Sequence, residues 1–595
     1  MQDQDIQLKH LLKQVQKPAR YMGNEWNSCR KNHAEMAVRM VLAFPDLYEV
    51  GMSNQGLKIL YESVNSLPNA LMERAFAPGT DMEKLMREHD LPLFALESHK
   101  PLLEFDLVGF SLQYELSYTN VINMLNLAGI TLLSSERSES EPLIIGGGPC
   151  VFNPEPLAPF FDLFVLGESE EFLPELLTGL IELKNQNLER SEILTRLSRL
   201  EGIYVPAFYQ TLDNEGQLCP LKKIDPGSPD LIAKRTVTDL NSTIYPIAPI
   251  VPYLQAIHDR AVVELFRGCS RGCRFCQAGY IFRPVRYRGR EQVVKTAKEQ
   301  IAATGYEELS LSSLSSSDYP GLDNLIDDLD QALVKEKVKC SLPSLRLDSY
   351  SIKLADRLHR GRRSSLTFAP EAATERLRRV IKKNITEAGI FSALGDAVDA
   401  GWQGFKLYFM IGLPTEEEAD VQAIIDLCQK IRQYFRKKAK RKINLSVSVS
   451  TFVPKAHTPF QWEPQLALQQ VIERQELLQK GFKKMPGVEL SWHDPEASFL
   501  EAVFARGDRK LAPVLERAWQ LGCRFDGWSE NFTFIKWQQA FRELNIDAGR
   551  YAYRHFRYDD ILPWDHIDCG VAKEVFVREH QKAFSNDAPE EGVAQ

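Results

Sequence analysis

Twice along the chain, short apolar runs alternate with amphipathic stretches of helical period. That alternation restricts the fold to parallel sheets with helices on both faces. In the first series VRMVLAF (38–44) predicts a buried strand and NQGLKILYESVN (54–65) the helix after it. Further strands are expected at 92–96, 106–112, 142–145 and 162–166, with helices over 118–128 and 170–183. Residues 30–185 thus predict a Rossmann-like (flavodoxin-like) parallel sheet, preceded by an extension over 1–29. In the second series strands are expected at 261–267, 307–312, 340–346, 365–369, 404–411 and 445–453. Helices are expected between them, for example at 291–304, 324–335 and 416–435. Six such units over 261–484 predict a partial (β/α)6 barrel, with chemistry at the C-terminal strand ends.

A polar, proline-bearing connector (IDPGSPD, YPIAPIVPY) fills 186–260, and an aromatic, mainly helical accessory region fills 485–595. The opening MQDQDIQLKHLLKQVQ has no apolar core of the signal-peptide kind, and no apolar run approaches the roughly 18 residues of a membrane span. A cytoplasmic protein is expected. A net charge of −8 gives no general attraction for nucleic acid or anionic lipid. Two local runs are basic, Arg436-Lys437-Lys438-Ala439-Lys440-Arg441-Lys442 and 357–363 (RLHRGRR). They read as solvated surface, or as contacts to an RNA or ribosomal substrate.

Of ten cysteines, three crowd into Gly268-Cys269-Ser-Arg-Gly-Cys273-Arg-Phe275-Cys276, directly after the first barrel strand. The C-x3-C-x2-C spacing lets three thiolates converge from one loop, and Gly268 and Gly272 let the backbone wrap tightly. An iron–sulfur cluster usually takes four cysteines, so three leave one iron open for chemistry. The competing structural zinc site needs a fourth ligand, and His258 is the nearest, across the strand.

The three-cysteine spacing, the aromatic before the last cysteine and the position after a first barrel strand resemble the radical S-adenosylmethionine (radical SAM) superfamily. The resemblance implies a 4Fe–4S cluster on Cys269, Cys273 and Cys276, with S-adenosylmethionine on the open iron. It implies one-electron cleavage to a 5′-deoxyadenosyl radical that abstracts hydrogen from substrate, and an external reductant such as flavodoxin or ferredoxin. It further implies S-adenosylmethionine contacts from Phe275, from Ser313 and Ser315 after strand two, and from Glu371 after strand four. Met410, Ile411 and Gly412 after strand five complete that set. The exit Thr451–Phe460 looks like that of methylthiotransferase-type barrels, but only Cys29, Cys150 and Cys219 precede the barrel, and they do not look like that family's second cluster set.

The order Gly146-Gly147-Gly148, then Gly167-Glu168, resembles the cobalamin-binding domain that precedes the barrel in many radical SAM proteins. There a loop D-x-H-x-x-G supplies the lower cobalt ligand; here Asp46-x-Tyr48-x-x-Gly51 keeps the spacing with tyrosine for histidine. A phenol is a poor cobalt donor at neutral pH, so a bound cobalamin is expected without a histidine ligand. The leading expectation is cobalamin-linked methylation of an unactivated carbon. Alternatives are a cobalamin-free radical rearrangement or sulfur insertion with a vestigial N-terminal domain, and a non-enzymatic iron–sulfur redox-sensing or binding module.

Overall fold

A computed structural model describes residues 2–186, 188–212, 221–343, 352, 365–438 and 443–585. The N-terminal sheet is built from β1 (Val38–Phe44), β2 (Ala70–Phe76), β3 (Leu107–Ser111), β4 (Leu143–Gly147), β5 (Leu163–Val165) and β6 (Ile203–Tyr204). Its order is β2-β1-β3-β4-β5-β6, parallel except for the β5–β6 pair. Helices α1 (Gln55–Asn65), α2 (Thr80–Glu88), α3 (Tyr118–Leu127) and α4 (Phe172–Lys184) accompany it. Near-continuous burial of β1 is what a strand covered on both faces requires.

The second strand differs from expectation. It is Ala70–Phe76, not 92–96, where Phe94 makes only an isolated bridge to Pro101. ALMERAF carries Glu73 and Arg74 at its centre, which hides it from a hydrophobic pattern. Both are buried and paired: Arg74 lies 2.6 Å from Glu25 and 2.7 Å from Glu97, and Glu73 accepts from Ser98 Oγ at 2.7 Å.

The second half holds two parallel arrays. The first is β7 (Ala261–Glu264), β8 (Glu308–Ser312) and β9 (Lys339–Ser341). The second is β10 (Leu366–Glu371), β11 (Gly404–Ile411), β12 (Asn444–Thr451) and β13 (Val488–Trp492). Helices α5 (Arg290–Thr304), α6 (Leu322–Ala332), α7 (Glu387–Asp399), α8 (Glu418–Lys438) and α9 (Leu468–Phe482) connect them. β13 adds a strand to the expected six. The 344–346 end of the expected third strand lies outside the described residues, as do 357–363 and 439–442 of the basic runs.

After β13 come α10 (Pro495–Ala505), α11 (Ala512–Gln520), α12 (Phe534–Glu543) and α13 (Lys573–Phe584). Much of this region packs on the N-terminal layer. Asp526 accepts from Thr119 at 2.6 Å and from the Trp537 indole at 2.9 Å. Trp528 donates to Asp46 at 2.9 Å and Trp519 to Asn123 at 3.1 Å. Indoles reach a partner when buried, and these partners tie the chain's last quarter to its first. Among the described residues no helix is long and apolar enough to cross a membrane.

Candidate active site

The cysteine loop leaves β7 through Gly268, whose φ is +89°. A Cβ there would lie 2.7 Å from Phe282 O and 2.8 Å from Pro284 O, so only glycine fits. Three anchors hold the loop: Arg274 N–H donates to Ile381 O at 3.1 Å, Arg274 Nη1 to Val380 O at 2.7 Å, and Tyr280 Oη to Gly272 O at 3.1 Å. Cys269, Cys273 and Cys276 are half-buried free thiols. Burial pushes Cys273 up to about 11, with Cys276, Cys269 and Glu371 adding to the rise and Lys383 opposing it. Burial also raises Cys276. Such thiols stay protonated until a metal takes the charge.

The donor set, three soft thiols on one wrapped loop beside a lysine, fits an iron–sulfur cluster. Among the described residues no three His, Cys, Asp or Glu side chains gather closely enough to hold a single ion. His258 does not complete a zinc site; it stands beside Ser53, which accepts its backbone N–H at 3.0 Å.

Other strand ends meet the loop. Glu371 closes β10 at φ +66° after a register shift from Phe368, and Lys383 Nζ stands 3.4 Å from its carboxylate. Burial raises this carboxylate against the pull of Lys383. The fully buried Arg378 donates to Ala372 O at 3.0 Å and Ala373 O at 2.8 Å, fixing the turn that follows. After β8, Ser315 Oγ donates to Asp318 Oδ2 at 2.7 Å, and that carboxylate oxygen also accepts from Arg271 Nε of the cysteine loop at 2.7 Å. Ser313 Oγ lies 3.0 Å from Ser316 Oγ. Met410 and Phe275 pack against one small apolar group that includes Leu413 and Phe452. Gly412 turns at φ +77° and donates to Glu416 Oε1 at 2.8 Å. Ile411 departs from this set: its side chain is in the core between sheet and helices, because alternate residues of β11 face opposite ways.

A cavity of about 320 Å³ opens between the two sheets. Gly146, Gly147, Gly148, Gly167 and Glu168 line one side, at the C-terminal ends of β4 and β5. Glu264, Ser312, Ile281 and Phe282 line the other, the last two directly following the cysteine loop. A Cβ on Gly147 would meet nothing within 4 Å, whereas one on Gly146 would strike Phe164 at 2.6 Å. Glu168 is already spent in the seam, 2.7 Å from Arg286 Nη2 and 3.3 Å from Arg267.

Asp46, Tyr48 and Gly51 do not line this cavity. Tyr48 is buried and donates to Glu25 at 2.8 Å, Asp46 accepts from Trp528, and Gly51 backs onto Phe76 and Phe44. The spacing of that loop survives, but it turns into the core instead of towards the cavity. Lys383, Arg378 and Glu579 escaped the sequence reading, since no motif marks a residue that acts only through its neighbour.

Residues 56–206 match the family of radical SAM proteins, N-terminal, and residues 263–428 match the radical SAM superfamily. An uncharacterized protein of Methanocaldococcus jannaschii is 30% identical over 432 residues, covering 72% of this chain and 84% of its own. Among solved structures, the chain is similar to the radical S-adenosylmethionine methyltransferase TsrM from Kitasatospora setae with cobalamin and a 4Fe–4S cluster bound (TM-score 0.45, 14% identity, 70% of this chain and 75% of that one). It is also similar to the cobalamin-dependent S-adenosylmethionine radical enzyme OxsB with aqua-cobalamin and S-adenosylmethionine bound (TM-score 0.46, 14% identity, 93% and 79%). The chain belongs to the radical S-adenosylmethionine superfamily and is an enzyme of that group, which implies a 4Fe–4S cluster and S-adenosylmethionine.

Proposed function

We propose that this enzyme is a cobalamin-linked methyltransferase acting on an unactivated carbon, with Cys269, Cys273 and Cys276 holding the cluster. The observation that carries this is the cavity whose walls come from the C-terminal edges of both sheets. When bound, cluster and S-adenosylmethionine supply one-electron cleavage and hydrogen abstraction, and cobalamin supplies a transferable methyl group.

The protein's own groups bind, orient and enclose. Glu371, Ser313, Ser315, Phe275, Met410 and the Gly412 backbone would hold S-adenosylmethionine, with Arg378 and Asp318 fixing the turns that carry them. Gly147 leaves a flat approach for a large planar ligand, and the Glu168–Arg286 and Glu170–Arg267 pairs close the seam against water. Flavodoxin or ferredoxin would serve as the electron donor.

A second reading, radical chemistry without cobalamin, draws on two facts: Tyr48 is in the core, and among the described residues no histidine lines the cavity.

Anaerobic reconstitution with iron, sulfide and hydroxocobalamin, followed by metal analysis, separates the two. About four irons and one tightly held cobalt per chain support the proposal; iron without cobalt favours the second reading. Cys273→Ala should lose the iron and the release of 5′-deoxyadenosine while keeping the fold. Undiminished cleavage in that variant overturns the cluster assignment.

A further inference from the structure

The cysteine loop is braced from the last helix of the chain. Glu579 of α13 stands 3.0 Å from Lys382 Nζ and 3.4 Å from Arg274 Nε, with its side chain 10% exposed. Arg274 follows Cys273 directly, and its guanidinium also donates to the carbonyls of Arg379 and Val380. Lys382 adopts φ +58°, and its partly exposed ammonium lies 3.7 Å from where a Cβ on Gly272 would lie. One turn earlier on α13, Phe576 packs on Tyr280 with ring centroids 5.3 Å apart, and Tyr280 in turn holds Gly272 O. A single carboxylate thus ties down two cations at the neighbours of Cys273, Arg274 after it and Lys382 against Gly272 before it. Lys383 is the cation that acts on the thiol itself, and an aromatic contact sets the helix that delivers the carboxylate.

Reduction adds a negative charge to an iron–sulfur cluster. A cation left uncompensated nearby stabilises the reduced form and raises the potential, whereas a carboxylate lowers it. Groups beyond the ligands tune a metal centre in this way as well as orienting it.

We infer that Glu579 is a positioning residue for the cluster, fixing Arg274 and Lys382 beside Cys273 and lowering the cluster's reduction potential by offsetting their charge. The inference rests on the assignment of Cys269, Cys273 and Cys276 as the cluster ligands. It gives the C-terminal region a part in the electron-transfer step, beyond covering the N-terminal layer.

The test is a redox titration of the reconstituted full-length protein, followed by the electron paramagnetic resonance of the reduced cluster. Glu579→Gln keeps the shape and removes the charge. It should bind iron as the parent does and shift the oxidised-to-reduced ratio at a fixed potential about tenfold towards reduced, about 59 mV for one electron. Lys382→Met should move the potential the opposite way, and Glu579→Asp should restore most of the parent value. Phe576→Leu, which loosens the helix that delivers the carboxylate, should shift the potential the same way as Glu579→Gln but by less. Unchanged potentials in both Glu579→Gln and Lys382→Met at parental iron content overturn the inference, as do shifts of the same sign. Should Glu579→Gln fail to take up iron, the sign given by Lys382→Met decides alone. A parent protein that binds no iron refutes the cluster assignment itself, an outcome separate from these.

Discussion

Lys455 Nζ lies 2.7 Å from the Glu115 carboxylate, joining the exit of β12 to the loop after β3. Glu501 of α10 approaches the same ammonium at 2.8 Å, so one lysine ties together the barrel, the N-terminal sheet and the C-terminal region. Burial raises Glu115 in spite of Lys455. Lys455→Met leaves the buried Glu115 and half-buried Glu501 carboxylates facing each other and should destabilise the protein by about 3 kcal/mol. Adding Glu115→Gln should return part of that loss. Denaturant unfolding of the parent, the two single variants and the double variant measures both effects, and strict additivity would show that the pair is not coupled.

His457 supplies a pH-dependent prediction. Its ring is buried against Phe152, with Nε2 3.1 Å from Phe152 O, and burial lowers it to about 4. The native ring stays neutral down to about pH 4, while the unfolded chain takes up a proton below about pH 6.5. Its contribution to stability is therefore complete above pH 6.5 and lost as pH falls to 4, by about 3 kcal/mol in all. Glu73 and Glu416, both raised to about 7 by burial, act in the opposite sense. They are present in parent and variant alike and cancel in the difference. Subtracting the His457→Gln stability curve from the parental one should leave a slope confined to pH 4–6.5, and a flat difference contradicts the assignment.

The two glycines that end β4 should respond differently to substitution. Gly147→Leu places a side chain in open space and should leave thermal stability within about 1 kcal/mol of the parent while cutting cobalt uptake. Gly146→Ala drives a methyl group into Phe164 and should destabilise by about 1–3 kcal/mol. Thermal unfolding together with cobalt analysis reads both. Normal cobalt content in Gly147→Leu would place the cofactor elsewhere.

Tyr48→His tests the direction of its loop. The hydroxyl donates to Glu25, itself the partner of buried Arg74, so the exchange should weaken the core by about 1–3 kcal/mol. The visible spectrum of bound cobalamin should not change. A spectrum typical of histidine-ligated cobalt would put the loop at the cavity after all.

How much of this was legible follows from the range over which each feature is decided. The three cysteines sit on one loop, and Glu371 and Gly412 sit at strand ends, so local pattern suffices to find them. The strand Ala70–Phe76 was hidden because Glu73 and Arg74 are compensated by residues 25, 97 and 98, which no window around the strand contains. Tyr48 misled because spacing fixes which residues share a loop but not which way the loop turns. The face taken by the Ile411 side chain was not legible either, since a strand-end position does not fix it. The cavity between the sheets is not a property of either half, and so appears in neither pattern.

The brace on the cysteine loop also has a bearing on how the protein is made. Glu579 follows Lys382 by 197 residues, which at about 5–20 residues per second is roughly ten to forty seconds of synthesis. Throughout that interval the loop is already outside the ribosome while its carboxylate does not yet exist. A cluster delivered then would meet the two cations without their counter-charge and, on the same reasoning, would sit at a higher potential than in the complete fold.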